Sequence, residues 1–356
     1  MKKFKIGKSR IGKGEKVYFV ADIAANHDGS LSRAKKLIRL CAKAGANAAK
    51  FQHFKAETIV SDSGFKKIGK LTHQAEWKKS VFEVYKKASI NPKWTKQLAK
   101  ECKKNKIDFL TAPYDLEYVD QVNKFIPAYK IGSGDITWKE IIIKIAKKKK
   151  PVLLACGAST LQETTDATKL ILKYNKKLIL MQCNTNYTNS LKNFQYINLK
   201  ALLEFKNIFK NEIILGLSDH TPGHSSVLGS ITLGAKVIEK HFTDNNYRSG
   251  PDHAFSLNPK TWYEMVKASR ELELSLGNGK KKIEFNEKKS GIVQRRGVWI
   301  KKYLKKGEKL KKEHLKFLRP CPKKSISPFF INKYLGKKAK KNLKIDSLLT
   351  KKCLSL

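Results

Sequence analysis

The chain has 356 residues and a mass of 40.5 kDa, enough for one large α/β domain with an ample core and a small second domain. Its 75 Lys+Arg against 30 Asp+Glu give a net charge of +45, but the lysines run along the whole chain, arginine is scarce and no nucleic-acid-binding motif appears. A compositional lysine bias is therefore preferred over a nucleic-acid partner. No apolar run is long enough for a membrane span or a signal peptide, and the six cysteines show neither a CxxC pair nor framework spacing, which predicts a cytoplasmic protein with reduced thiols and no membrane partner.

In chain order, residues 1–16 read as a short Gly/Lys-rich hairpin. Residues 18–23 form the first apolar strand, with Asp22, Asn26 and His27 at or just past its end. Ser32 offers an N-cap, and Leu37, Leu40, Cys41 and Ala44 recur at helical spacing until Gly45. Residues 48–51 make the next strand, with Lys50 and then Gln52 alternating with apolar neighbours. The polar insert 53–88 is expected to lie over the mouth of the fold as a lid. A helix follows over 94–104, then a strand over 107–112 that ends at Thr111-Ala112-Pro113.

The strand over 128–133 carries Lys130 and Ser133, with Asp135 just beyond it. Strand 152–156 ends at Gly157, and strand 178–183 at Asn184-Thr185-Asn186-Tyr187. Two further apolar runs end in Ser218-Asp219-His220 and Glu239-Lys240-His241. About eight strands, most followed by a helix and ending in polar residues or glycine, predict a (β/α)8 barrel with its site at the carboxyl edge. An open doubly wound sheet is the alternative, but ADIAANHDGS lacks the Gly-rich phosphate loop expected after its first strand. The barrel is assigned to 1–280, a linker to 281–294 and a small second domain, including a short helix over 327–342, to 295–356.

In a parallel barrel, strands that end alike end on one face, which puts His220 beside His241. A single histidine at a strand end is more often a hydrogen-bonded structural residue. Its recurrence one βα unit apart, among carboxylates, turns the reading toward a divalent metal with positions open for substrate. Lys50, Lys130 and Lys240 supply cations suited to phosphate, Thr111, Ser133, Asn184, Thr185 and Ser218 supply hydroxyls and amides, and Asp22, Asp135, Glu239 and Asp252 can hold a metal or move protons. From the residues alone this is a metal-assisted barrel enzyme acting on a small phosphorylated anion and a second, polyhydroxylated partner.

The stretches YFVADIAANHDGSLSRAKKLI, AGANAAKFQHFKAETIV, PAYKIGSGD, GLSDHTPG, VIEKHFT and SGPDHAFSLNP resemble the barrel of the sialic acid synthase family. RRGVWIKKYLKKGEKLKKEHLKFLRP and YLGKKAKKNLK resemble its carboxyl-terminal antifreeze-like (SAF) domain. The resemblance implies condensation of phosphoenolpyruvate with N-acetylmannosamine or a related acetamido aldose, aided by Mn2+ or Mg2+. By the same resemblance His220 and His241 would hold the metal, with Asp22 and Asp135 among the catalytic groups. Lys50, Thr111, Lys130, Ser133, Asn184, Thr185 and Ser218 would hold phosphoenolpyruvate, and Gln52, Tyr187 and Asp252 would contact the sugar. Arg319, just before Pro320, would reach the N-acetyl group in a partner subunit's pocket, giving a domain-swapped homodimer.

The sequence also departs from the family pattern. Asp22 and Asp135 stand where the family usually has glutamate, so a direct contact is expected to become water-mediated. Ala155-Cys156-Gly157 replaces the usual Ser-Thr-Gly and removes a phosphate hydroxyl. These changes leave two sugars open, N-acetylmannosamine and a diacetamido deoxyhexose leading to a legionaminic-type acid. They also leave a non-catalytic carbohydrate- or anion-binding barrel as a rival.

Overall fold

The computed structural model describes residues 2–69, 71, 74, 75 and 77–355. The chain divides into two compact units, Met1–Gly277 and Asn278–Leu356. In the first, an antiparallel hairpin of β1 (Lys3–Ile6) and β2 (Ser9–Gly12) precedes eight parallel strands. These are β3 (Tyr18–Asp22), β4 (Ala48–His53), β5 (Asp108–Pro113), β6 (Tyr129–Ile131), β7 (Val152–Ala155), β8 (Leu178–Cys183), β9 (Ile214–Asp219) and β10 (Val237–His241). They pair in sequence, and β10 closes on β3, so the sheet is a closed barrel and has no open edge.

The side-chain period of two sorts every strand into two faces. Tyr18, Val20, Ala48, Leu110, Leu153 and Met181 fill the barrel interior, and Ile6 and Ile11 of the hairpin join the same cluster. Both isoleucines are fully buried, each contributing about 1.5–3 kcal/mol. The alternate residues, such as Phe19, Phe51 and Phe109, face the helices in a second, larger cluster.

Those helices are α1 (Leu31–Lys43), α5 (Thr95–Lys104), α6 (Leu116–Asn123), α7 (Lys139–Lys147), α8 (Leu161–Tyr174), α9 (Ala201–Phe209), α10 (Ser225–Thr232) and α11 (Pro259–Ser275), while α2 (Ala56–Ile59), α3 (Asp62–Ile68) and α4 (Val81–Ala88) lie in the insert after β4. The first helix buries Ala34, Leu37, Ile38 and Cys41, a single stripe at helical spacing. Its N-cap is Ser30 rather than the expected Ser32: Ser30 has extended backbone and accepts from the Arg33 amide, whereas Ser32 already lies in the first turn. Gly45 then turns the chain with φ +96, where an added Cβ would stand 3.1 Å from Val266 Cγ1.

The second unit pairs β11 (Gly297–Ile300) with β12 (Leu315–Leu318) over a core that includes Val298, Ile300, Leu304, Leu310 and Leu354. The helix expected over 327–342 is only a short 3-10 turn, Pro328–Lys333; Gly336 follows with φ +80 and breaks the run. All six cysteines are free. No helix among the described residues is long and apolar enough to cross a membrane.

Candidate active site

The carboxyl ends of the barrel strands aim their inward residues into one cavity of about 510 Å3. From the inward register come Asp22, Lys50, Lys130, Ser218, Glu239 and His241. Asp22 Oδ2 lies 2.7 Å from Lys50 Nζ, Lys130 Nζ 2.7 Å from Glu239 Oε1, and Lys50 Nζ 3.5 Å from the same Glu239 oxygen. Ser218 Oγ donates to that oxygen at 3.3 Å. Two ammonium groups and two carboxylates thus neutralise each other out of contact with water, the arrangement buried charges require.

Their environment sets their charges. Burial would raise the Glu239 carboxyl, but Lys130 and then Lys50 hold it down to about 2. Asp22 is pushed above its ordinary value, by burial first and by Glu239, against the pull of Lys50. Burial alone takes Asp135 up to about 6. Lys50 stays protonated because Asp22 and Glu239 overcome the burial that opposes its charge.

His220 and His241 do sit side by side, ring centroids 5.4 Å apart. Burial, and then His241, drive His220 down to about 3; burial, and then Lys50, do the same to His241. Both rings are therefore neutral near pH 7 and keep a lone pair. His220 Nδ1 donates to the Asn184 carbonyl at 2.7 Å, which leaves Nε2 as the lone-pair nitrogen. The buried Nδ1 of His241 has no hydrogen-bond partner, nor does Glu239 Oε2. Among the described residues no three His, Cys, Asp or Glu side chains gather as a ready-made metal cage.

Ser133 and Thr185 also border the cavity. Gly157 lies between them, and a Cβ there would stand 2.6 Å from Thr185 Cγ2 and 3.0 Å from Ser133 Oγ. A second cavity of about 160 Å3 opens beside the first and is bordered by Gln52, Tyr187 and Asp252. The two share Gln52, Ile59, Tyr85, Tyr114, Tyr187 and His241. Burial, followed by the charge of Asp22, raises Asp252 to about 7. Its carboxylate accepts from the Ala25 amide at 3.1 Å. Arg319 is an exposed residue of the second unit.

Three expectations are corrected, two of them by strand parity. Thr111 lies one residue past inward-facing Leu110 and so faces the helices; its Oγ1 donates to the Phe51 carbonyl and lies 2.7 Å from His53 Nδ1. The inward position there belongs to Ala112, which has no hydroxyl. Lys240 and Asp219 likewise point outward, as an ion pair of 2.6 Å behind the site. The Asn184 side chain is taken up by its own loop, donating to the Tyr196 carbonyl and accepting from the Asn186 amide. What Asn184 gives the site is the backbone carbonyl that orients His220. Asp22, though shorter than glutamate, meets Lys50 at 2.7 Å. Tyr85 and Tyr114 were not assigned from sequence. For Tyr114 the period-two count from Ala112 carried a signal; for Tyr85, on an insert helix, nothing local did.

Residues 37–281 match the NeuB family and residues 295–355 the SAF domain. The N,N'-diacetyllegionaminic acid synthase of Campylobacter jejuni is 37% identical over 339 residues, spanning 94% of this chain and 99% of that protein. A pseudaminic acid synthase of the same species is 32% identical over 338 residues, 94% of this chain and 96% of that one. Among solved structures, the N-acetylneuraminic acid (sialic acid) synthetase of Leptospira borgpetersenii superposes with a TM-score of 0.70 at 26% identity, over 81% of this chain and 95% of the other. The closed barrel, its strand-end histidines and these matches along nearly the whole length place the chain in the NeuB family of nonulosonic acid synthases, with a carboxyl-terminal SAF domain.

Proposed function

We propose that the protein condenses phosphoenolpyruvate with an acetamido aldose, releasing phosphate and forming a nonulosonic acid. The observation that carries this reading is the division of one mouth into two cavities that meet at His241. The larger holds Lys50 and Lys130, while among the described residues no lysine or arginine borders the smaller. A trianionic substrate suits the first and a neutral sugar the second, with the bond to be made between them.

His220 and His241, neutral and each with a nitrogen lone pair, would hold a divalent cation such as Mn2+ or Mg2+. When bound, the metal supplies Lewis acidity to the sugar aldehyde. Lys50 and Lys130 bind the phosphate and carboxylate of phosphoenolpyruvate, and Ser133, Thr185 and Ser218 add hydrogen bonds. The methylene carbon of phosphoenolpyruvate attacks the aldehyde carbon, whose oxygen takes up a proton. The oxocarbenium-like centre left behind adds water, and the tetrahedral intermediate expels phosphate by C–O cleavage. Asp22 and Asp135 would position that water and accept its proton.

Gln52, Tyr187 and Asp252 hold the sugar, and Arg319 of the partner subunit, in a domain-swapped homodimer, would meet its N-acetyl group. N-acetylmannosamine and a diacetamido deoxyhexose are the two sugars in view. The test is phosphate release by purified protein given phosphoenolpyruvate, Mn2+ and a panel of acetamido aldoses. Release with at least one sugar is expected. Tight binding of both substrates with no release from any sugar would establish the rival, non-catalytic reading.

A further inference from the structure

The loops ANHDGS after β3 and SGPDHA after β10 carry an aspartate and a histidine, Asp28 and His253, that border neither cavity. His253 is fully buried, with Nε2 2.9 Å from Asp28 Oδ1 and Nδ1 2.6 Å from Thr243 Oγ1. A carboxylate facing it can only accept, so Nε2 carries the proton. Burial holds the imidazole below its ordinary value against the pull of Asp28, so Nδ1 keeps its lone pair and takes the hydrogen of the Thr243 hydroxyl. Asp28 is fixed in turn by Arg33 Nε and Arg248 Nη2, each 3.0 Å from its Oδ2. Gly250 leaves room for the ring, since a Cβ there would stand 2.6 Å from His253 Cδ2.

We infer that His253 is a positioning residue for the sugar: clasped between Asp28 and Thr243, it fixes the carboxylate of its neighbour Asp252 in the smaller cavity. The inference rests on the proposed reaction, in which Asp252 meets the sugar. Asp252 borders that cavity and accepts from the amide of Ala25, on the same loop as Asp28. The loop after β10 is thus stitched to the loop after β3 at two consecutive residues, one at the cavity and one behind it. A lone amide hydrogen bond leaves a loop free to shift, and a charge-assisted one at the next residue removes that freedom. A carboxylate that must accept from substrate hydroxyls needs its place held to a fraction of an ångström, and residues behind the site supply that hold.

The experiment measures KM for phosphoenolpyruvate and for the acetamido aldose that the wild type turns over best, together with hydrogen exchange at the Ala25 amide, in the wild type, Thr243→Val, Thr243→Ser and His253→Ala. Thr243→Val keeps the shape of the side chain and removes its hydroxyl. That variant and His253→Ala should each raise the KM for the sugar about tenfold, the worth of one hydrogen bond to a charged group, and leave the KM for phosphoenolpyruvate within about twofold. Exchange at Ala25 should quicken in both, and Thr243→Ser should match the wild type. In an Asp252→Ala background Thr243→Val should raise the sugar KM no further, because a residue that acts only through another adds nothing once that one is gone. A KM that rises alike for both substrates, additive effects in the double variant, or unchanged exchange at Ala25 overturns the inference and leaves the reaction standing. A wild type that turns over no sugar refutes the reaction, and exchange at Ala25 then decides by itself whether His253 holds Asp252.

Discussion

Lys240→Met tests how the two histidines are held. The Lys240 ammonium sits 2.6 Å from Asp219 Oδ2, with 1% and 0% of the two side chains exposed, and it also donates to the Thr221 carbonyl at 2.6 Å. Asp219 accepts from the Thr221 amide, the Thr221 hydroxyl and the Ser226 hydroxyl as well. These two residues precede His241 and His220 in the chain, so the outer pair ties together the strand ends that carry the rings. Methionine keeps the apolar stem and leaves a buried carboxylate without its cation, a loss of about 3–5 kcal/mol. For a barrel unit of this size that lowers Tm by roughly 6–10 °C, at about 2 °C per kcal/mol.

The pH dependence gives the test its sign. Burial would raise the Asp219 carboxyl, but Lys240 and the hydrogen bonds of Ser226 and Thr221 hold it below the ordinary carboxylate range. Its contribution is therefore complete above the unfolded value of about 3.9 and is lost only as pH falls through the lower folded value. Without Lys240 burial dominates and the shift reverses, so the deficit should be larger at pH 8 than at pH 5. Thermal unfolding followed by circular dichroism at both pH values measures this. Asp219→Asn in the Lys240→Met background should recover most of the loss. A deficit below about 1 kcal/mol, equal deficits at the two pH values, or a double variant no better than the single would refute the reasoning.

Gly157→Ala would place a methyl 2.6 Å from Thr185 Cγ2; overpacking of about 1–3 kcal/mol at that wall should raise the KM for phosphoenolpyruvate on the order of tenfold, read by steady-state kinetics. His220→Ala and His241→Ala should each cut phosphate release by about a hundredfold or more and weaken Mn2+ binding in titration calorimetry, given the several kcal/mol such metals supply; full activity in either excludes its role. Asp252, raised to about 7 chiefly by burial, contributes stability that is complete below the unfolded carboxylate value and is lost as pH rises through about 7. Asp252→Asn should therefore gain on the wild type between pH 4.5 and 8, as followed by Tm, and a gap that stays constant with pH contradicts the shift.

The barrel was legible in the sequence because parallel strands covered on both faces read as short apolar runs, and VLLA at β7 is buried throughout. The histidine pair was legible because both runs end at the same point of the repeat. What the runs hide is which face each residue takes. At β10, VIEKH alternates Val237, Glu239 and His241 inward with Ile238 and Lys240 outward, and the length of the motif alone does not mark the difference. A lysine beside a histidine therefore reads as a phosphate ligand until parity is counted from Val237, whose apolar side chain fixes the inward face. The same count from Leu110 would have moved Thr111 out of the site and Ala112 into it. Ser30 and Ser32 show the same ambiguity on a shorter scale, since either hydroxyl could cap and only the backbone angle at Ser30 decides.

The insert is a different case, because no periodicity relates it to the barrel. Its polarity predicted a lid, and polarity is what the solvent face of α4 presents in Glu83, Lys86 and Lys87, while Val81, Val84, Tyr85 and Ala88 form the other face. A helix that covers a polar site must still bury one stripe, and here the stripe borders the smaller of the site's two cavities. Charge and its absence are thus assigned to different parts of the chain. The strand ends, held in register by the barrel, carry the groups that need fixed geometry, and the insert carries the surface whose side chains can change without disturbing a strand. Specificity for the sugar should then vary through residues 54–88, while a change at Lys50, Lys130 or His241 should alter turnover of every sugar alike.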